Sequence, residues 1–175
     1  MSSHALNAEK MKAALRELDS LLSEPVTLIV GGGGALILAH WLTLVTTDID
    51  AIPKGMDLSR LDAHIKEVAR RLDLSPDWLN AYYATFTHTL PPDYGSRLIS
   101  VLKGKHLEAL ALGKDEMLIL KCFAHRLKDV SHAQALIKKG ANPDAAEKHI
   151  ESLLKEGVAG SREALDFLDD LLDQE

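Results

Sequence analysis

Apolar residues recur at Met11, Leu15, Leu18 and Leu22, at the spacing of one helix face, and predict a helix over 7–22 that Pro25 ends. The run Val26-Thr27-Leu28-Ile29-Val30 is short and β-branched, which predicts a buried strand. Glycines 31–34 interrupt the pattern, and the apolar stretch from Ala35 to Thr43 predicts a short helix. A second strand is expected over 48–52, stopped by Pro53 and Gly55, and Asp57 reads as the N-cap of a helix reaching Leu72. DLSPDWLN reads as a capped turn with Trp78 and Leu79 covering the core. Residues 81–97 show no clear period, and Pro91-Pro92 marks a loop within them. Strands over 98–102 and 106–112 flank a Lys103-Gly104 turn. One long helix is then expected over 115–139, a second starting at Pro143, and a last one capped by Ser161 that runs to Glu175.

This order, α-β-α-β-α-β-β-α-α-α, implies an α/β (α+β) fold: a small mixed sheet flanked by helices, followed by a helical C-terminal half. We expect an α/β core over 1–112 and a helical part over 113–175, together forming one compact unit. The chain of 175 residues, 46% hydrophobic and 26% charged, can fill such a core. No apolar run reaches the roughly 18–20 residues of a membrane span, and MSSHALNAEK has no secretory pattern. With Cys122 as the single cysteine, no intramolecular disulfide forms, and a cytoplasmic location is expected. A net charge of -6 argues against a general nucleic-acid coat.

The chemistry concentrates in GGGGALILAHWLTLVTTDID, residues 31–50. Glycines after a strand let backbone N–H groups approach a ligand with no Cβ in the way, and a helix N-terminus adds a dipole that attracts phosphate. Asp48 and Asp50 stand at i and i+2, so on a strand both carboxylates share one side while Ile49 faces the core. Two like charges held close favour a cation between them, and hard oxygen ligands suit Mg²⁺ or Mn²⁺. A P-loop is excluded because no Lys-Ser/Thr pair follows the glycines. A dinucleotide-binding turn fits poorly, because its third glycine position holds Leu36 and one acid would suffice there.

These residues resemble the glycine turn and D-x-D signature of the nucleotidyltransferase superfamily that includes polymerase β. More narrowly, GGGGALILAHWLTLVTTDIDAIP, Trp78-Leu79-Asn80 and KCFAHRLKD over 121–129 are similar to segments of small bacterial AbiEii-type toxins. The resemblance implies the nucleotidyltransferase fold and a metal-dependent transfer of a nucleoside monophosphate from a triphosphate to an acceptor hydroxyl. In that reading Gly31, Gly32 and Gly33 hold phosphates, and Asp48 and Asp50 hold the metal. Thr46 and Thr47 stand where relatives often carry a basic residue, and His132 where they often have a second Asp. A third carboxylate is open between Glu108, the acid of the strand over 106–112, and Asp129.

On a continuous helix over 115–139, Lys121, His125, Lys128 and His132 fall within about 60° of one another. Leu120, Phe123, Leu127 and Val130 occupy the other side, which predicts a packed face and a cationic one with Asp129 at its edge. Lys121 and Asp129 are thereby candidates for the catalytic set, and Lys121 and His125 for nucleotide contacts. The residues leave the acceptor open among RNA such as tRNA, a protein and a small-molecule hydroxyl, and a cognate antitoxin is the partner the resemblance implies. The alternative is a degenerate member of the same fold that binds nucleotide or a protein partner without chemistry.

Overall fold

The computed structural model describes residues 4–174. Seven helices and five strands are formed among them: α1 (Ala8–Leu21), β1 (Val26–Gly31), α2 (Gly32–Leu38), β2 (Ile49–Pro53), α3 (Asp62–Leu72), β3 (Leu79–Asn80), β4 (Ile99–Lys103), β5 (Leu107–Ala111), α4 (Lys114–Ala124), α5 (Leu127–Lys138), α6 (Pro143–Lys155) and α7 (Ser161–Asp173). Short 3₁₀ segments fill the stretches Leu58–Leu61, Tyr82–Thr89 and Tyr94–Arg97.

The chain divides into two compact units. The first comprises the chain up to Ala84 together with Leu98–Leu112; the second comprises Thr85–Arg97 and the chain from Gly113 onward. The first unit is built on a mixed sheet of order β3-β2-β1-β5-β4. β1 runs antiparallel to β2 and parallel to β5, β2 parallel to β3, and β4 antiparallel to β5. β1 occupies the centre and is buried along almost its whole length, which is why it reads as a continuous apolar run rather than an alternating one. β2 and β5 alternate buried and half-buried residues, so each has one covered side. α1 packs on α3, α2 and β5, burying Met11, Ala14, Leu15 and Leu18. Trp78 is fully buried, its indole N–H donating to the Ile65 carbonyl at 2.9 Å, and Leu79 is buried beside it, so this pair covers the core as the turn predicted.

The second unit is helical. α4 packs against α5, α6 and α7, and its buried residues include Met117, Leu118 and Cys122. Burial pushes the Cys122 thiol up to about 12, so it behaves as a packed apolar group rather than a nucleophile. No described helix is long and apolar enough to cross a membrane.

Four expectations change. The short helix expected over 35–43 is α2, which takes Gly32, Gly33 and Gly34 as its first turn and ends at Leu38. Asp57 caps a single 3₁₀ turn, and α3 proper begins at Asp62. Ser161 is the first residue of α7, whose cap is Gly160; the helix ends at Asp173, and Glu175 lies outside the described residues. The long helix over 115–139 is two helices. His125 adopts a left-handed backbone (φ 36°) and ends α4, and Arg126 is extended before α5 starts. Leu127, expected to pack, is 92% exposed, while Lys121 and Asp129, expected on or beside a solvated face, are buried. The periodicity argument failed because it carried one helical phase across a break that neither Gly nor Pro announces.

Candidate active site

The glycine turn is the junction between β1 and α2. Gly31 is the last residue of β1 and pairs with Asp50 across the antiparallel ladder; Asp50 in turn pairs with Asn80 on β3. Three neighbouring strands thus bring Gly31, Asp50 and Asn80 into one row. Ile49 is fully buried between Asp48 and Asp50, which are both half-buried. The alternation of an extended chain therefore puts the two carboxylates on the same side, away from the core.

Each carboxylate accepts hydrogen bonds that fix its orientation. The Thr46 hydroxyl donates to Asp48 Oδ1 at 3.2 Å, and Asn80 Nδ2 donates to Asp48 Oδ2 at 3.0 Å. The Tyr83 backbone N–H donates to both oxygens of Asp50, at 3.0 and 3.2 Å. From there the Tyr83 side chain crosses β1, its hydroxyl donating to the Ile29 carbonyl at 2.6 Å. The ring covers Gly31 so closely that a Cβ at that position would lie 2.9 Å from it. Gly31 is therefore buried under Tyr83, and the accessible part of the turn is Gly32 and Gly33, both half-exposed.

Gly32 has a left-handed backbone, φ +52°, and a Cβ there would stand 3.0 Å from Asp50 Cβ and 3.3 Å from Asp50 Oδ2. Glycine is needed for two reasons: the backbone region disfavours any side chain, and the space beside the carboxylate is narrow. A Cβ on Gly33 would meet Leu44 at 3.3 Å and Thr46 at 3.4 Å. The loop after α2 therefore runs back to the start of that helix, where it sets Thr46 beside Gly33 and Asp48. Thr47 is exposed.

The structure brings together Gly32, Gly33, Thr46, Asp48 and Asp50, and adds Asn80 and Tyr83. It does not bring Glu108 to them. Glu108 pairs with Thr27 on β1 and with Lys103 on β4, near the opposite end of β1 from Gly31. Four residues of extended strand separate Thr27 from Gly31, about 13 Å. The residue opposite Asp50 on the flanking strand is an amide, Asn80, and no cluster of three or more His, Cys, Asp or Glu that could hold a metal occurs among the described residues.

The remaining candidates belong to the second unit. Lys121 Nζ donates to Asp129 Oδ1 at 2.7 Å, and Asp129 Oδ2 accepts from the Arg126 backbone N–H at 3.1 Å and from Arg126 Nε at 2.8 Å. Burial lowers the Lys121 ammonium below the ordinary lysine value, against the pull of Asp129. Burial works to raise the Asp129 carboxyl, but the bonds from Arg126 and Lys121 outweigh it and hold the group below its ordinary value. This trio ties the end of α4 to the start of α5. His132 Nδ1 is buried without a partner, and burial lowers the pKa of its ring. The exposed His125 ring turns back to the Phe123 carbonyl at 2.9 Å.

Tyr83 carried no signal for its contact in the sequence, and Asn80 carried only its place in the Trp78-Leu79-Asn80 segment of the resemblance, which names no partner for it. A two-residue strand has no periodicity, and only its pairing with β2 shows where the following residues go.

No curated protein and no solved structure matches the chain. A family model matches residues 9–141, which hold the glycine turn, the aspartate pair, Asn80, Tyr83 and both partners of the buried Lys121–Asp129 contact. The mixed sheet with its helical C-terminal half is consistent with that family's fold, and the chain belongs to the family described as nucleotidyltransferase of unknown function (DUF6036).

Proposed function

We propose that the protein transfers a nucleoside monophosphate from a triphosphate to an acceptor hydroxyl, with Asp48 and Asp50 as the ligands of a divalent cation. The observation that carries this reading is the pair itself. Two carboxylates share one side of an extended segment, are oriented by Thr46, Asn80 and the Tyr83 N–H, and stand beside a glycine whose missing Cβ leaves room against Asp50.

The donor chemistry fits a hard cation: two carboxylates and the Thr46 hydroxyl are oxygen ligands of the kind Mg²⁺ and Mn²⁺ take, alongside water and phosphate. Such an ion, when bound, neutralises charge on the phosphates. The chain's own part is positional. Asn80 and Thr46 fix the rotamer of Asp48, and the Tyr83 N–H fixes Asp50. Gly32 and Gly33 leave backbone at the start of α2 open to phosphate oxygens, whose charge those N–H groups complement. The likeness of Trp78-Leu79-Asn80 and of residues 121–129 to AbiEii-type toxins is the support for a role as the toxin of a toxin–antitoxin pair.

A second reading, nucleotide binding without transfer, is favoured by the amide of Asn80 in the position opposite Asp50, where a third acid would complete a metal site. One experiment separates the two. Mg²⁺ or Mn²⁺ with a triphosphate should raise the melting temperature by mass action on the folded state, and Asp50→Asn should remove the increment while keeping the fold, since its amide oxygen still accepts the Tyr83 N–H. Labelled triphosphate should then appear on tRNA, on cellular protein or on a small hydroxyl compound. A melting curve indifferent to metal at millimolar triphosphate sinks the metal assignment; the increment without label transfer supports the binding-only reading.

A further inference from the structure

We infer that Tyr82 is the platform on which the base of the triphosphate stacks, so that purine nucleotides bind ahead of pyrimidine ones. The inference rests on the transferase reading above.

The segment 78–83 uses its three aromatic side chains in two ways. Trp78 and Tyr83 are buried, and each bonds its polar atom inside the fold, the indole N–H to the Ile65 carbonyl and the hydroxyl to the Ile29 carbonyl. Tyr82 stands beside them 63% exposed. Covering a ring of that size would stabilise the first unit, yet the ring is left in solvent next to the aspartate pair. Asn80 Oδ1 accepts the Tyr82 N–H at 3.1 Å while the Asn80 amide donates to Asp48, and the next N–H, that of Tyr83, donates to Asp50. The Tyr82 backbone is thereby tied to both carboxylates. Its Cα lies within about 5.5 Å of Asp50 Oδ1, because the peptide bond that carries the Tyr83 N–H begins at Tyr82. In any rotamer the ring centre is then within about 9 Å of that oxygen. A nucleotide whose phosphates share a cation with Asp48 and Asp50 would bring its base into that range.

The other oxygen of Asp48 fixes which way the nucleotide runs. It is bonded to Thr46, which lies against Gly33 at the start of α2. The exposed apolar residue on that side is Val45, 83% exposed, whose isopropyl group has no π-face to offer a base. Phosphates drawn to the backbone of Gly32 and Gly33 therefore extend toward Thr46 and Val45, and the base toward Asn80 and Tyr82. The face of a phenol ring stacks on any base, and a purine presents more area to it than a pyrimidine. Such a contact needs no charged side chain, and the segment 78–83 carries none. The platform reads the area of the base, not the hydrogen-bonding pattern of its edge.

The test is calorimetric titration of the full chain with Mg²⁺ and three probes. Two are the α,β-methylene analogues of ATP and CTP, in which the bond to be broken is blocked; the third is tripolyphosphate, which has the phosphates and no base. Wild type should bind the ATP analogue most tightly, the CTP analogue next and tripolyphosphate least. Tyr82→Ala should weaken the ATP analogue about tenfold, the size of one base–aromatic stack, and leave tripolyphosphate unchanged. Tyr82→Phe keeps the ring face and should bind all three as wild type does. Val45→Ala should leave the gap between the ATP analogue and tripolyphosphate as it is. If no probe binds in a metal-dependent way, the transferase reading fails and this inference with it. The platform alone is overturned, with that reading intact, if tripolyphosphate binds with Mg²⁺ as tightly as the ATP analogue. It is overturned as well if the CTP analogue matches the ATP analogue, if Tyr82→Ala weakens all three probes equally or none, or if Val45→Ala is the change that closes the gap.

Discussion

Gly32→Ala is the most informative single change at the turn. The new methyl would sit in a left-handed backbone region and within 3.0 Å of Asp50 Cβ. Strain of that kind costs about 1–2 kcal/mol, a loss the fold should survive. The displaced Asp50 carboxylate would lose the Tyr83 N–H or its cation, so the metal-dependent melting increment should vanish in a protein that still unfolds cooperatively. An increment equal to that of wild type would show that the close approach has no bearing on ligand binding. Asn80→Ala makes the complementary case. It leaves both aspartates in place but removes the donor that orients Asp48, and loss of such a supporting bond costs about 10- to 100-fold in metal affinity. Mn²⁺ titration followed by electron paramagnetic resonance reads this directly, and unchanged affinity would mean Asp48 keeps its orientation without Asn80.

Between residues and the whole, the α4–α5 junction is the element whose form depends most on one side chain. The Asp129 carboxylate receives the Lys121 ammonium, the Arg126 guanidinium and the Arg126 backbone N–H. Asp129→Asn leaves the buried Lys121 ammonium without its counter-charge, and breaking a buried pair in this way costs about 3–5 kcal/mol. Denaturant unfolding should show that loss. The acid dependence has a definite sign. The folded carboxyl sits below its ordinary value of 3.8, so its contribution is complete above that pH and is lost as the pH falls below it through the folded value. Wild type should therefore lose stability across that acid range by an increment that Asp129→Asn lacks. Parallel acid curves for the two proteins would contradict the assignment. Lys121→Ala, which the sequence reading expects to cost turnover with little loss of stability, should also destabilise, because it strips one of the two cationic partners from a fully buried carboxylate.

At the scale of the molecule, hydrogen exchange can report which unit responds to ligand. Mg²⁺ with a non-hydrolysable triphosphate should slow exchange around residues 31–33, 46–50 and 80–83. Equal slowing at 121–129 would bring the second unit into the site, as the resemblance of that segment implies, whereas no change at 46–50 would remove the aspartate pair from it. What the sequence by itself determined was local. A β-branched run had to be a buried strand, the glycines had to mark where that strand ends, and alternate aspartates on an extended segment had to share a side, because each follows from backbone sterics and period over a few residues. The β4–β5 hairpin was legible for the same reason. Tertiary structure decided the rest. The two-residue β3 gains its identity only by pairing with β2, and that pairing delivers Asn80 to Asp48 and the Tyr83 N–H to Asp50. The register of β5 against β1 sets Glu108 beside Thr27 and away from the pair. The buried contact among Lys121, Arg126 and Asp129 accompanies a helix break that periodicity reads as continuous. Each of these depends on contacts outside the local pattern, and a hydrophobic period records which side of an element is covered, never what covers it.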